Sequence, residues 1–282
     1  MKSLGFLSVP TLRLAGRGIF LFGIVMAFVF CMGAPLHAEE QLPDTFSLKV
    51  GGYFIRNADT IMRLDSNNLP LGTYIDFSDT LGGDTSTSVL RTDGLFRFNE
   101  NHGLGFGWYA FRLKGSRVLD KDITWGNVTF PIGVAVDSEI KFDLYKLNYQ
   151  YSLYHNDKVE LGVLIGLNVT RVSAGMSGNN MESQTEAITA PLPVFGLFGD
   201  YNFTPRFSAF YNYQWFFINY QDRAKGGLSD FLFGFEYRLF RHFTLGVAYN
   251  RFIANLELKR ENNDLTFNTN WNGGIVYGGL YF

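Results

Sequence analysis

From Phe46 to Phe282 the chain alternates apolar and polar residues with a period of two, and long stretches of helical period are absent. Successive side chains of a strand point to opposite faces, so this pattern predicts strand after strand, each with one apolar and one polar face. Ten stretches carry it: Phe46–Arg56, Ser88–Phe98, Gly103–Lys114, Glu139–Leu153, Val159–Val172, Val194–Phe203, Phe207–Tyr220, Ser229–Leu239, Phe243–Glu257 and Thr266–Phe282. Four connections are tight: "NENH" at 99–102, "YHND" at 154–157, "NFTPR" at 202–206 and "FRH" at 240–242. Five are longer: 57–87, 115–138, 173–193, 221–228 and 258–265. Short and long alternate without exception, a regularity that a β-sandwich does not require.

A transmembrane β-barrel does require it, because its periplasmic turns are short and its extracellular loops are longer. Ten strands need four inner turns and five outer loops, with both termini in the periplasm, and the count closes. Composition agrees. Aromatic residues make up 17% of the chain, with 29 Phe, 15 Tyr and 31 Gly. Those levels suit an outward apolar face with aromatic girdles. The expected fold is therefore an all-β, antiparallel barrel of ten strands. Eight or twelve strands are the alternatives, since "LGTYIDFSDTLGG" at 71–83 has some strand character of its own.

The two ends of the chain fit the same picture. Lys2, Arg13 and Arg17 precede the apolar run "GIFLFGIVMAFVFCMGA", and "PLHAEE" follows it. A basic start, an apolar middle and a small residue at the exit predict a secretory signal peptide over 1–38. An uncleaved anchor helix is the second reading. A short periplasmic segment over 39–45 and a barrel over 46–282 complete the domain plan. Cys31 lies inside the leader, so the exported chain would hold no Cys and no disulfide. Removing three basic residues takes the net charge from -2 to -5. With no basic run, nucleic acid is not an expected partner. At the other end, "GGIVYGGLYF" places Val276, Gly278, Leu280 and Phe282 on one face and ends in an aromatic residue. That is the pattern expected of a C-terminal signal for the barrel assembly machinery.

In such a barrel the apolar face meets lipid and the polar face lines the lumen. The lumen set comprises Lys49, Arg91, Asp93, Arg97, Lys146, Glu160, Asp200, Glu236 and Arg238, with Asn148, Gln150, Asn168, Asn212 and Gln214 among them. Five bases stand against four acids. Near-balanced charges in a narrow lumen pair with one another, because an unpaired buried charge is expensive. The interior is expected to be filled, since open pores need about sixteen strands. Gly162, Gly166, Gly196, Gly234 and Gly246 share the inner face. They either make room for long neighbours or thin the plug.

Catalysis finds little support. A barrel hydrolase or acyltransferase would need a His near the outer rim. His102, His155 and His242 all fall in tight turns at the opposite end. The acids Asp65, Asp76, Asp79 and Asp84 cluster in the first long loop, but their spacing matches no Ca²⁺ motif. No phosphate loop, zinc spacing or GxSxG motif occurs, and no cofactor is expected.

Three segments carry a family resemblance: "IDFSDTLGGD" at 75–84, "LRTDGLFRFNENHGLGFGWYAF" at 90–111 and "ITWGNVTFPIGVAVDSEIKFDLYKLNYQYSL" at 123–153. The series resembles a group of small, poorly characterised outer-membrane barrel proteins of Gram-negative bacteria. The resemblance implies an integral outer-membrane barrel and transfers no catalytic or binding residues. The expected role is structural or surface-interacting, with lipid and lipopolysaccharide as partners. A narrow channel for small polar solutes is the alternative, and a lipid- or peptide-modifying enzyme the second.

Overall fold

The computed structural model describes residues 45–65, 72–178, 183–220, 224–259 and 264–282. The expected signal peptide and the segment 39–44 lie outside the described residues. The strands in chain order are β1 (Phe46–Leu64), β2 (Ile75–Asp76), β3 (Thr87–Arg97), β4 (His102–Val118), β5 (Ile123–Trp125), β6 (Val128–Phe130) and β7 (Ala135–His155). They continue with β8 (Val159–Gly178), β9 (Gln184–Thr204), β10 (Phe207–Tyr220), β11 (Ala224–Phe240), β12 (Phe243–Lys259) and β13 (Asp264–Tyr281).

Ten of these form a closed antiparallel barrel in the order β1, β3, β4, β7 to β13, and β13 pairs back onto β1. Sixteen residues of β1 run against β13, from Ser47↔Tyr281 to Leu64↔Leu265. The chain ends clasp there: Phe46 N donates to Phe282 O at 2.9 Å, and Phe282 N donates to Phe46 O at 2.8 Å. Closure leaves no edge strand to meet lipid. The segment at 71–83 adds no barrel strand. Its β2 makes a two-residue pairing with Ile61 and Met62 of β1, and the chain then turns into the one-turn helix α1 (Phe77–Leu81).

Most strands run further than the sequence pattern marks, chiefly at their outer ends. Strand β1 runs to Leu64 rather than Arg56, β7 starts at Ala135 rather than Glu139, and β9 starts at Gln184 rather than Val194. The reason is a reversal of phase, plainest in β7. Towards its periplasmic end, Tyr145, Leu147, Tyr149, Tyr151 and Leu153 point outward, while Lys146, Asn148, Gln150 and Ser152 point inward. Beyond residue 144 the faces exchange character. Asp137, Glu139, Lys141 and Asp143 point outward, and Val136, Ile140, Phe142 and Leu144 are buried inside. Strand β8 reverses between outward Val169 and Arg171, and β12 between outward Tyr249 and Arg251.

The reversal marks the outer surface of the bilayer. Nine residues, Tyr145–Leu153, rising about 3.3 Å each and tilted about 40°, cover roughly 23 Å, close to the ~25 Å apolar band of such barrels. The ten residues Ala135–Leu144 then carry the wall roughly 25 Å into the external medium. There the barrel is an ordinary water-soluble one, apolar inside and charged outside.

The outer mouth is partly roofed. The β5–β6 hairpin turns at Gly126, whose φ of +60° suits a residue without Cβ. It buries Ile123, Trp125 and Phe130. Helix α1 adds Phe77 and Leu81. Thr73 N donates to Thr124 O at 3.1 Å, and Thr124 N to Thr73 Oγ1 at 3.1 Å, tying the two loops together.

Candidate functional site: the barrel interior

The interior is stacked in layers. Nearest the periplasm, Lys49 pairs with Glu236, which also accepts from the Tyr277 hydroxyl at 2.7 Å and from the Tyr281 hydroxyl. Arg97 grips Glu160 with both guanidinium nitrogens, each at 2.7 Å, and the Ser152 hydroxyl donates to the same carboxylate. Two parallel bonds of this kind are among the strongest side-chain contacts. Asp200 lies half-buried beside Glu160, its cross-strand neighbour. The Arg238 guanidinium lies 5.3 Å from the Tyr281 ring centre.

One layer further out, Lys146 pairs with Asp230, with their side chains only 7% and 2% exposed. Asn250 sits at the hub. Its amide donates to Asp230 at 2.6 Å, and its carbonyl accepts from the Tyr53 hydroxyl at 2.7 Å and from Arg91 at 3.3 Å. Arg91 also holds Asp93 through Nε at 2.7 Å and its second terminal nitrogen at 3.2 Å. These ties join β1, β3, β7, β11 and β12, so they cross the lumen rather than follow the wall.

Of the charges expected in the lumen, Lys49, Arg91, Asp93, Arg97, Lys146, Glu160 and Glu236 share ion pairs here, while Asp200 and Arg238 lie beside them. Pattern reading missed Asp230. It shares the parity of Glu236 along β11, and that parity was the available signal. Counting it gives five acids against five bases. The lumen glycines serve as sockets for large neighbours. A Cβ on Gly162 would stand 2.3 Å from the Phe198 ring, and one on Gly246 would stand 2.2 Å from the Tyr277 ring.

Above the plug the character changes. Phe111 stacks on Phe142 with centroids 4.6 Å apart, and Phe252 stacks on Trp271 at 4.1 Å. Trp271 meets Phe111 and Phe142 edge-on at 5.1 and 5.3 Å. This aromatic floor packs between the charged layer and the space beyond it. Over the floor lie two small adjoining apolar cavities, each partly open to solvent. They share Val172, Ile188 and Phe267 as walls. Phe142, Leu192, Phe216 and Phe252 line the larger one, and Met62, Leu64 and Trp125 the smaller. The sequence reading contained no such vestibule.

The remaining candidates sit apart. His242 Nδ1 donates to Tyr281 O at 2.7 Å, His102 Nδ1 is hydrogen-bonded to the Tyr149 hydroxyl, and His155 lies 3.9 Å from Glu160. All three are at the periplasmic end. The loop acids hold the loop itself. Asp76 accepts from Asp79 N and from the Ser78 hydroxyl, both at 2.9 Å, while Asp65 accepts from Arg63 at 2.8 Å and from Gly72 N at 2.7 Å. Among the described residues, no three His, Cys, Asp or Glu side chains are grouped to hold a metal. Val276, Leu280 and Phe282 point outward on β13, and the Phe282 ring stacks on His242 at 5.4 Å.

Comparison with solved structures decides the fold. The outer membrane protease OmpT from Escherichia coli is similar over 86% of this chain and 99% of its own, at 10% identity and a TM-score of 0.52. This is an outer-membrane β-barrel. The transport unit of the autotransporter AIDA-I from Escherichia coli matches over 94% of this chain and 98% of its own, at 8% identity and a TM-score of 0.40. OprG from Pseudomonas aeruginosa matches over 85% and 96%, at 12% identity and a TM-score of 0.38. No family model and no curated protein matches the chain.

Proposed function

We propose that this outer-membrane barrel is sealed to ions and polar solutes and works at its outer end, receiving small apolar molecules in the vestibule. The observation that carries the reading is the vertical order of the interior. A charge-paired plug and an aromatic floor lie beneath an apolar space that opens on the external side. This refines a structural or surface-interacting role by giving the exposed end something to bind. A polar-solute channel is disfavoured because the Lys146–Asp230 and Arg97–Glu160 pairs span the lumen where ions would have to pass. An enzymatic role is disfavoured by histidines held at the wrong end. Lipid and lipopolysaccharide are the surroundings that the outward apolar belt would meet. The barrel assembly machinery would read the strand ending in Val276, Gly278, Leu280 and Phe282.

Two measurements test the reading. Planar-bilayer recordings should show no conductance above background. N-phenyl-1-naphthylamine should bind the detergent-solubilised protein with enhanced fluorescence. Ile188→Glu, at the junction of the two cavities, should weaken that binding at least tenfold while heat-modifiable gel migration is kept. Steady ion conductance, or probe binding indifferent to Ile188→Glu, would overturn it.

A further inference from the structure

At two junctions of the barrel wall, β3–β4 and β9–β10, the ladder stops well short of the strands' outer ends, and the second has a cause written in its sequence. Strands β9 and β10 pair from Phe207↔Thr204 to Trp215↔Phe195, and there the ladder stops. Neither strand ends at that point. Strand β9 stays paired with β8 as far as Gln184, and β10 stays paired with β11 as far as Tyr220. Over 184–194 and 216–220 the two run on without pairing to each other.

The sequence gives the cause. Even-numbered residues of β9 donate towards β8, as Asn202 N does to Lys158 O at 2.7 Å. Odd-numbered residues therefore turn their backbone groups towards β10. The odd positions next beyond Phe195 are Pro193 and Pro191. Proline has no N–H, so two successive donors are missing from the edge that faces β10 and from nowhere else. The ladder cannot be carried upward, while the β8 side is untouched.

Depth makes the gap consequential. Pro193 and Pro191 are the cross-strand partners of Leu167 and Val169, which belong to the outward apolar face of β8. Cross-strand neighbours in a wall tilted by about 40° differ in depth by roughly 3 Å. The gap therefore begins within the outer leaflet. Unpaired backbone in lipid is expensive and is tolerated where it borders a cavity. A cavity lies behind it. Ala190 and Leu192 of β9 and Phe216 and Ile218 of β10 line the larger vestibule chamber. On the outside, Phe217 is 80% exposed, beside a neighbour that does not close over it.

We infer that the β9–β10 seam is a lateral doorway through which a small, uncharged alkyl or aryl molecule passes between the vestibule and the outer leaflet. The inference rests on the vestibule reading above. It adds a route that avoids water: both the interior and the outside of the doorway are apolar, and the prolines keep it from zipping shut.

The test uses the full chain in liposomes with Trp108, Trp215 and Trp271 replaced by Phe, leaving Trp125, which lines the smaller vestibule chamber, as reporter. Bilayer-dissolved 1-bromooctane, a contact quencher, should quench Trp125. P191V/P193V restores both donors and should slow that quenching at least fivefold. In a Cys31→Ser background, P193C/F217C should do the same when oxidised and recover when reduced. Heat-modifiable migration verifies folding of each variant. Equal quenching rates with the seam open and zipped overturn the doorway. Quenching in detergent but not in liposomes also overturns it and leaves the vestibule standing. Absence of quenching in both media removes the vestibule and the doorway together.

Discussion

The membrane-embedded half and the projecting half of this barrel share the same ten strands and the same hydrogen-bonded wall, yet their side chains obey opposite rules. On the periplasmic side of residue 144 of β7 the charges are inside and the aromatics outside, and on the external side the reverse holds. Backbone pairing fixes the barrel in both halves, and the solvent decides which face is apolar. Water supplies the hydrophobic drive for the projecting half, which fills its interior with Phe111, Phe142, Phe252 and Trp271. Lipid offers no such drive between protein surfaces, so the embedded half is held inside by ion pairs and hydrogen bonds.

The comparison can be broken first at the plug. Lys146→Met should destabilise the barrel by about 3–5 kcal/mol, because Asp230 would be left as an uncompensated buried charge. The double variant K146M/D230L should recover most of that loss. Unfolding in urea from lipid vesicles measures both, and a single variant as stable as the parent would remove the plug's structural role. The boundary itself is tested on one face of β8. Ile165→Arg, in mid-membrane, should cost about 2–4 kcal/mol. Ser173→Arg, eight residues further along the same face, should change stability by no more than about 0.5 kcal/mol. Similar penalties at the two sites would mean that the bilayer surface is wrongly placed. A smaller effect belongs to the roof. Asp76→Ala removes the cap of α1 and should cost about 1 kcal/mol, seen as faster proteolysis of the first long loop with global unfolding little changed.

The embedded half was legible in the sequence because its alternation keeps one phase from turn to turn. The ten strands, the four tight turns and the outward faces of β8 and β11 all follow from it. The outer extensions past Arg56, Lys114 and Val172 were not, since the period of two reverses its sign close to those points. A pattern that assumes one apolar parity per strand loses its support there. For the same reason Val136, Ile140 and Phe142 did not read as an inner face, and the vestibule stayed hidden. The plug was legible by charge and parity, apart from Asp230. Its partners across the lumen were not, because pairing Lys49 with Glu236 requires knowing that closure brings β1 to within three places of β11 around the wall. Pro191 and Pro193 were visible throughout, but their meaning depends on which neighbour each backbone group faces, and only the register supplies that.

The clasp between Phe46 and Phe282 also governs how the molecule comes into being. The wall is complete only when Phe282 meets Phe46, more than 230 positions away in the chain. Until then, any partly built sheet presents two unsatisfied borders, one at each end of the polypeptide. Contacts so distant along the chain form slowly and leave such borders exposed to self-association. Closure of the ring is therefore a late event in folding. A copy lacking its final strand has no partial version of the finished ring to settle into.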